Sequence, residues 1–110
     1  MPSVLVVDDH LLIRYGLQQM LSQEYRGLVF GEAKNSDEAA VRLARQPWDL
    51  VILAIALPSN DGFYVLEEIR RRHPSTRVLM LSRHADPQFA VRARQLAACG
   101  ESLPVATWRL

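Results

Sequence analysis

Hydrophobic positions along this chain fall into runs whose period switches repeatedly between strand and helix. Val4-Leu5-Val6-Val7 is a short β-branched apolar run without alternation, as expected of a strand covered on both faces, and it stops at Asp8-Asp9. From His10 the period lengthens. Leu12/Ile13, Gly16/Leu17 and Met20/Leu21 recur every three to four residues, which predicts a helix to about Ser22. Residues 28–33 read as a second strand. Asn35 followed by Glu38 matches a helix-start box, in which each side chain satisfies a free backbone N–H. The helix it opens is expected to turn Ala40, Leu43 and Ala44 inward and to end before Pro47.

Asp49 to Ile55 is the most hydrophobic run and reads as a central strand. Pro58 to Gly62 is a turn-rich loop, and a helix follows from about Phe63 to His73, stopped by Pro74. Arg77 to Leu81 is a fourth strand ending at Ser82. Asp86-Pro87 pairs an N-cap with a proline at the first helical position, and Gly100 closes that helix. Strand and helix thus alternate four times with short connections and no repeat or linker. The expected fold is a doubly wound parallel α/β sheet with right-handed crossovers.

Composition narrows the class. A chain of 110 residues supports one domain with one core. A formal charge of +1 gives no bulk electrostatic case for nucleic acid or an anionic membrane. No run approaches the ~18 apolar residues of a membrane span, and no basic-then-apolar leader opens the chain. The lone Cys99 excludes an internal disulfide and fits a reducing, cytoplasmic setting. Lys34 is the one lysine among 13 basic side chains.

In open parallel sheets, ligands bind beyond the carboxyl ends of the strands. The residues there are Asp8 and Asp9 after strand one, Ala54 to Pro58 around the end of strand three, and Ser82 and Arg83 after strand four. Adjacent carboxylates repel and gain from a shared cation, and oxygen-only ligation suits Mg²⁺. The plain alternative is that Asp8 caps the following helix.

Residues 4–17 resemble the opening of a bacterial response-regulator receiver domain (CheY-like), most of all the NarL/FixJ type of transcriptional regulators. Residues 49–62 resemble that family's third strand and loop, and residues 78–86 its fourth strand with a switch hydroxyl; the match runs from about residue 3 to 100 in order. The resemblance implies a module of phosphorelay signalling, not an enzyme, partnered by a histidine kinase whose phosphoryl group moves to an aspartate at the end of strand three. It implies Asp8 and Asp9 as Mg²⁺ ligands, the Ala56 carbonyl as a third, and Ser82 as the switch hydroxyl.

Two departures bear on function. The acceptor position is Ala54, whose methyl group can neither accept a phosphoryl group nor ligate a metal; Ser59 and Asp61 lie in the next loop and are not obvious substitutes. A single changed position in an otherwise intact loop reads as an engineered substitution, with a naturally inactive receiver as the alternative. Secondly, no lysine follows Lys34, so the family's phosphate-binding lysine after strand five is lacking. Val105 to Leu110 offers a short, atypical fifth strand, Arg109 is a poor geometric stand-in for lysine, and nothing is left for a fifth helix. Mg²⁺ binding is therefore expected to be weak or absent. An apolar surface beside the first helix is expected to drive homodimerisation, with exchanged C-terminal segments as one route. The family's DNA-binding output domain is not within residues 1–110, so no operator binding is expected of them.

Other features have plain readings. Arg70-Arg71-Arg72 complements a helix C-terminus and is expected to pair with Glu67 and Glu68 four residues earlier. His10 and His84 flank the pocket and read as packing or surface residues before metal ligands. Cys99 reads as a small buried thiol, and Trp48 as packing at the edge of strand three. An Mg-dependent phosphohydrolase of related topology is the rival class, but it too needs a nucleophilic aspartate and a lysine. A flavin or dinucleotide binder lacks its glycine-rich loop after strand one.

Overall fold

The computed structural model describes residues 2–54, 57, 62–82 and 105–109, with the backbone alone for 82 and 105–109. The elements are β1 (Ser3–Val7), α1 (Leu11–Glu24), β2 (Val29–Ala33), α2 (Ser36–Arg45), β3 (Leu50–Ala54), α3 (Gly62–Arg72), β4 (Arg77–Ser82) and β5 (Val105–Arg109). They form a five-stranded sheet in the order β2-β1-β3-β4-β5. Every neighbouring pair is parallel, including the short β5 against β4. The doubly wound reading of the sequence is the observed one. The expected fourth helix, with His84 and Cys99, lies outside the described residues.

The central strands β1 and β3 are almost wholly apolar because each of their faces meets a different layer. Leu5, Val7, Val51, Leu53, Val78 and Met80 point to one side, where Ala39 and Leu43 of α2 and Val65, Leu66 and Ile69 of α3 close a dry core. Val4, Val6, Ile52 and Leu81 point to the other, where α1 contributes Ile13, Leu17 and Leu21. The two sides are unequal: no residue of α1 is fully buried, and Leu12 is 84% exposed.

That inequality corrects the reading of α1. Leu12, Gly16 and Met20 do not share the inward face with their neighbours; Ile13, Leu17 and Leu21 do, leaving Leu12 and Met20 outside. In α2, Ala39 is buried while Ala40 and Ala44 are exposed. The cap sets that phase, since a helix starting after Asn35 turns Ser36, Ala39 and Leu43 to the core. The Asn35 side chain accepts from the Glu38 N–H at 2.8 Å as expected, but Glu38 reaches back to the N–H of Lys34, at 3.0 Å, instead of that of Asn35. On α3 the Glu68–Arg72 pair forms at 3.3 Å, whereas Arg71 turns to Glu68 and Arg70 to Glu67, both at 3.7 Å.

Two residues fix the bottom and the edge of the sheet. Trp48 is buried, donates its indole N–H to the Arg42 carbonyl at 3.0 Å, and lies over Gly31 of β2, where any Cβ would strike the ring. Gly27, at φ 73°, makes the turn between α1 and β2 that a side chain would resist.

Candidate functional site

The strand registers gather the site at the carboxyl edge of the sheet. Val7 pairs with Ala33 on one side and Leu53 on the other, so Asp8 and Ala54 are the next residues out on adjacent strands. Ala54 in turn pairs with Leu81, which sets Ser82 one step beyond it, and Ser82 pairs with Arg109 of β5. Asp8, Ala54, Ser82 and Arg109 thus line one edge in strand order. Ala56, Ser59 and Asp61 fall outside the described residues.

Asp8 is buried, at 2% exposure. Its N–H continues the ladder by donating to the Ala33 carbonyl at 3.0 Å. Its carboxylate does not cap α1: the N-cap is His10, which makes no side-chain cap bond, and Asp8 Oδ1 instead accepts from the His10 N–H at 2.9 Å. The N-cap position of α1 thus falls to His10 and not to Asp8. The buried carboxylate turns back into the corner.

His10 closes that corner. Its Nδ1 lies 3.0 Å from Asp8 Oδ1 and 2.8 Å from Asp9 Oδ1. The three ligand atoms all fall within 4.8 Å of one another, forming a group able to hold a metal ion. The His10 imidazole, for which the sequence allows a packing, surface or metal-ligand role, bridges the acidic pair. Arg14, which no motif singled out, holds the same corner from α1. Its Nη1 donates to the Asp8 carbonyl at 2.8 Å, and its Nε donates to Glu32 Oε1 at 2.6 Å. A lone arginine in an amphipathic helix carries no sequence signal for that contact.

The donor chemistry can be tested against a divalent cation. Two carboxylates, one buried, suit it. Among the described residues, the side chains beside this pair add no third oxygen donor of the kind Mg²⁺ prefers: Ala54 carries a methyl group, and the other grouped donor is the His10 nitrogen. Lys34 is 63% exposed and its Nζ stands 4.0 Å from Glu38. Among the described residues, no helix is long and apolar enough to cross a membrane.

Residues 4–100 match the family model described as the response regulator receiver domain. The chain is 35% identical over 98 residues to the transcriptional activator protein ExaE of Pseudomonas putida, covering 89% of this chain and 46% of that one. It spans about half the length of such curated relatives. Among solved structures, the signal receiver domain of an HD domain-containing protein from Pseudomonas fluorescens superposes with a TM-score of 0.80 at 29% identity, covering 98% and 81% of the two chains. The response regulator TrrA from Thermotoga maritima, solved in complex with Mg(2+)-BeF, gives a TM-score of 0.76 at 28% identity, covering 98% and 87%. Receiver domains bind Mg²⁺ at an acidic pocket and take their phosphoryl group from histidine kinases. With its parallel sheet, its acidic corner and a family match over residues 4–100, this chain belongs to the response-regulator receiver domain family.

Proposed function

We propose that this chain is the receiver module of a NarL/FixJ-type transcriptional regulator whose phosphoryl-acceptor position is occupied by Ala54. The observation that carries this reading is the β1–β3 register, which sets the Ala54 methyl beside the buried Asp8 at the carboxyl edge. In the family, an aspartate there attacks the phosphohistidine of the kinase. A methyl group has no lone pair for that attack, so acidic corner and switch position remain while the group that joins them is gone.

Ser82, at the end of β4, is the switch hydroxyl in this reading, and the Ala56 carbonyl would face the cation. Asp8 and Asp9 bind Mg²⁺ weakly, having lost the third carboxylate. Arg109, register partner of Ser82, stands near the end of β5, and an arginine is a poor geometric stand-in for lysine. The domain makes no contact with nucleic acid and performs no turnover. Its remaining capacity is association. Leu12 and Met20 border an apolar groove of about 390 Å³ floored by Leu79 and Leu81, and covering it favours a homodimer, exchange of C-terminal segments being one form.

Intact-protein mass spectrometry after incubation with a small-molecule phosphodonor and Mg²⁺ tests the reading. The chain is expected to keep its mass; a stoichiometric acyl phosphate, released by hydroxylamine, would contradict it.

A further inference from the structure

Resting on the reading of the α1 groove as an association surface, we infer that the chain pairs with a second copy of itself through a two-fold crossing of α1 helices centred on Gly16. Gly16 stands in the interior of α1, where glycine costs helix stability relative to alanine. Nothing described in the chain asks for it there: a Cβ built at Gly16 meets no atom within 4 Å, whereas one at Gly31 strikes the Trp48 ring. The fold has room for alanine at 16, so the missing side chain has its use outside the chain.

The surroundings of Gly16 are apolar and open. Leu12 and Met20, four residues before and after it on one row of the helix surface, are both exposed, and the row borders the groove above Leu79 and Leu81. Where two such rows cross directly, the residue at the crossing has to be small for the backbones to approach. Gly16 supplies that gap, and the large side chains on either side of it close against the partner's row.

Charge selects a second copy as the occupant. A two-fold interface sets a patch against itself, so a charge near its centre meets its own kind. From Leu11 to Gln23 the one charged residue is Arg14, and its guanidinium is turned to the Asp8 carbonyl and Glu32. α2 and α3, by contrast, carry both acidic and basic residues. An acidic or basic partner finds no counter-charge along α1, while another uncharged apolar face finds its match.

Gly16→Ala separates the pairing from the fold. The full chain and the variant are compared by sedimentation velocity over a concentration series, and by urea denaturation at the lowest concentration of that series. The unsubstituted chain is expected to dimerise. Gly16→Ala should weaken the dimer by at least about tenfold, through overpacking at the crossing, and at the same time raise the urea midpoint, because alanine favours the helix. Gly16→Leu fills the gap further and should leave a monomer. Val41→Ala, at an exposed apolar position of α2, should leave pairing unchanged. An unsubstituted chain that stays monomeric, pairing untouched by Gly16→Ala, or weaker pairing together with a lower urea midpoint would overturn the inference. Pairing that resists Gly16→Ala but is lost in Leu12→Ser with Met20→Ser would overturn the crossing and leave the groove reading standing. The phosphodonor experiment on position 54 is independent of all these results.

Discussion

Ser3 and Asp49, 46 residues apart, hold each other reciprocally: the Ser3 N–H donates to Asp49 Oδ2 at 2.8 Å, and the Asp49 N–H donates to Ser3 Oγ at 2.9 Å. The pair ties the start of β1 to the residue before β3 and so pins the register that aligns Asp8 with Ala54 at the other end. Asp49→Ala is expected to lower stability by about 1–2 kcal/mol, a charged hydrogen bond discounted for its partial exposure. Asp49→Asn should cost less, since it keeps an acceptor. Urea denaturation at constant m-value measures both.

Gly31 has no room for a side chain, because the Trp48 ring occupies the space above it. Gly31→Ala is expected to cost roughly 1–3 kcal/mol by overpacking. If the same substitution is made with Trp48→Leu, the two costs should not add, and a double-mutant cycle reads the coupling.

Arg14 holds the Asp8 carbonyl and Glu32 with different nitrogens of one planar group, which lysine cannot reproduce. The Glu32 contact is half exposed and contributes little, so the carbonyl bond dominates. Arg14→Lys is expected to cost about 1–2 kcal/mol in chemical denaturation, and to weaken divalent-metal binding at the corner it braces.

Leu12 and Met20 are 84% and 62% exposed on the rim of the apolar groove. The chain is expected to self-associate as its concentration rises, and Leu12→Ser with Met20→Ser to shift it toward monomer. Stability should change by no more than about 0.5 kcal/mol, as at other exposed positions. Multi-angle light scattering gives the mass directly, and a clean monomer at high concentration for the unsubstituted chain would count against this.

Much of this was legible in the sequence, for identifiable reasons. β1 and β3 are buried on both faces, so unbroken apolar runs located them, and Asp8-Asp9 marked the edge they share. The faces of the helices were harder. In α1 a broad apolar stripe hid the fact that only Ile13, Leu17 and Leu21 meet the sheet, because the sequence does not say how wide a helix interface is. In α2 one position of phase separated Ala39 from Ala40, and the cap at Asn35 decided it. The acidic pair announced the site, but the bridging role of His10 depends on how the chain turns after β1. Arg14 depends on where α1 crosses β2. Neither is encoded in spacing.

Position 54 decides whether this domain can carry a phosphoryl group, and phosphoryl transfer reads it out. The unsubstituted chain and Ala54→Asp should be incubated side by side with a small-molecule phosphodonor and Mg²⁺, and their intact masses compared. One added phosphoryl group is expected on Ala54→Asp and none on the unsubstituted chain. Equal stoichiometric labelling of both would contradict it.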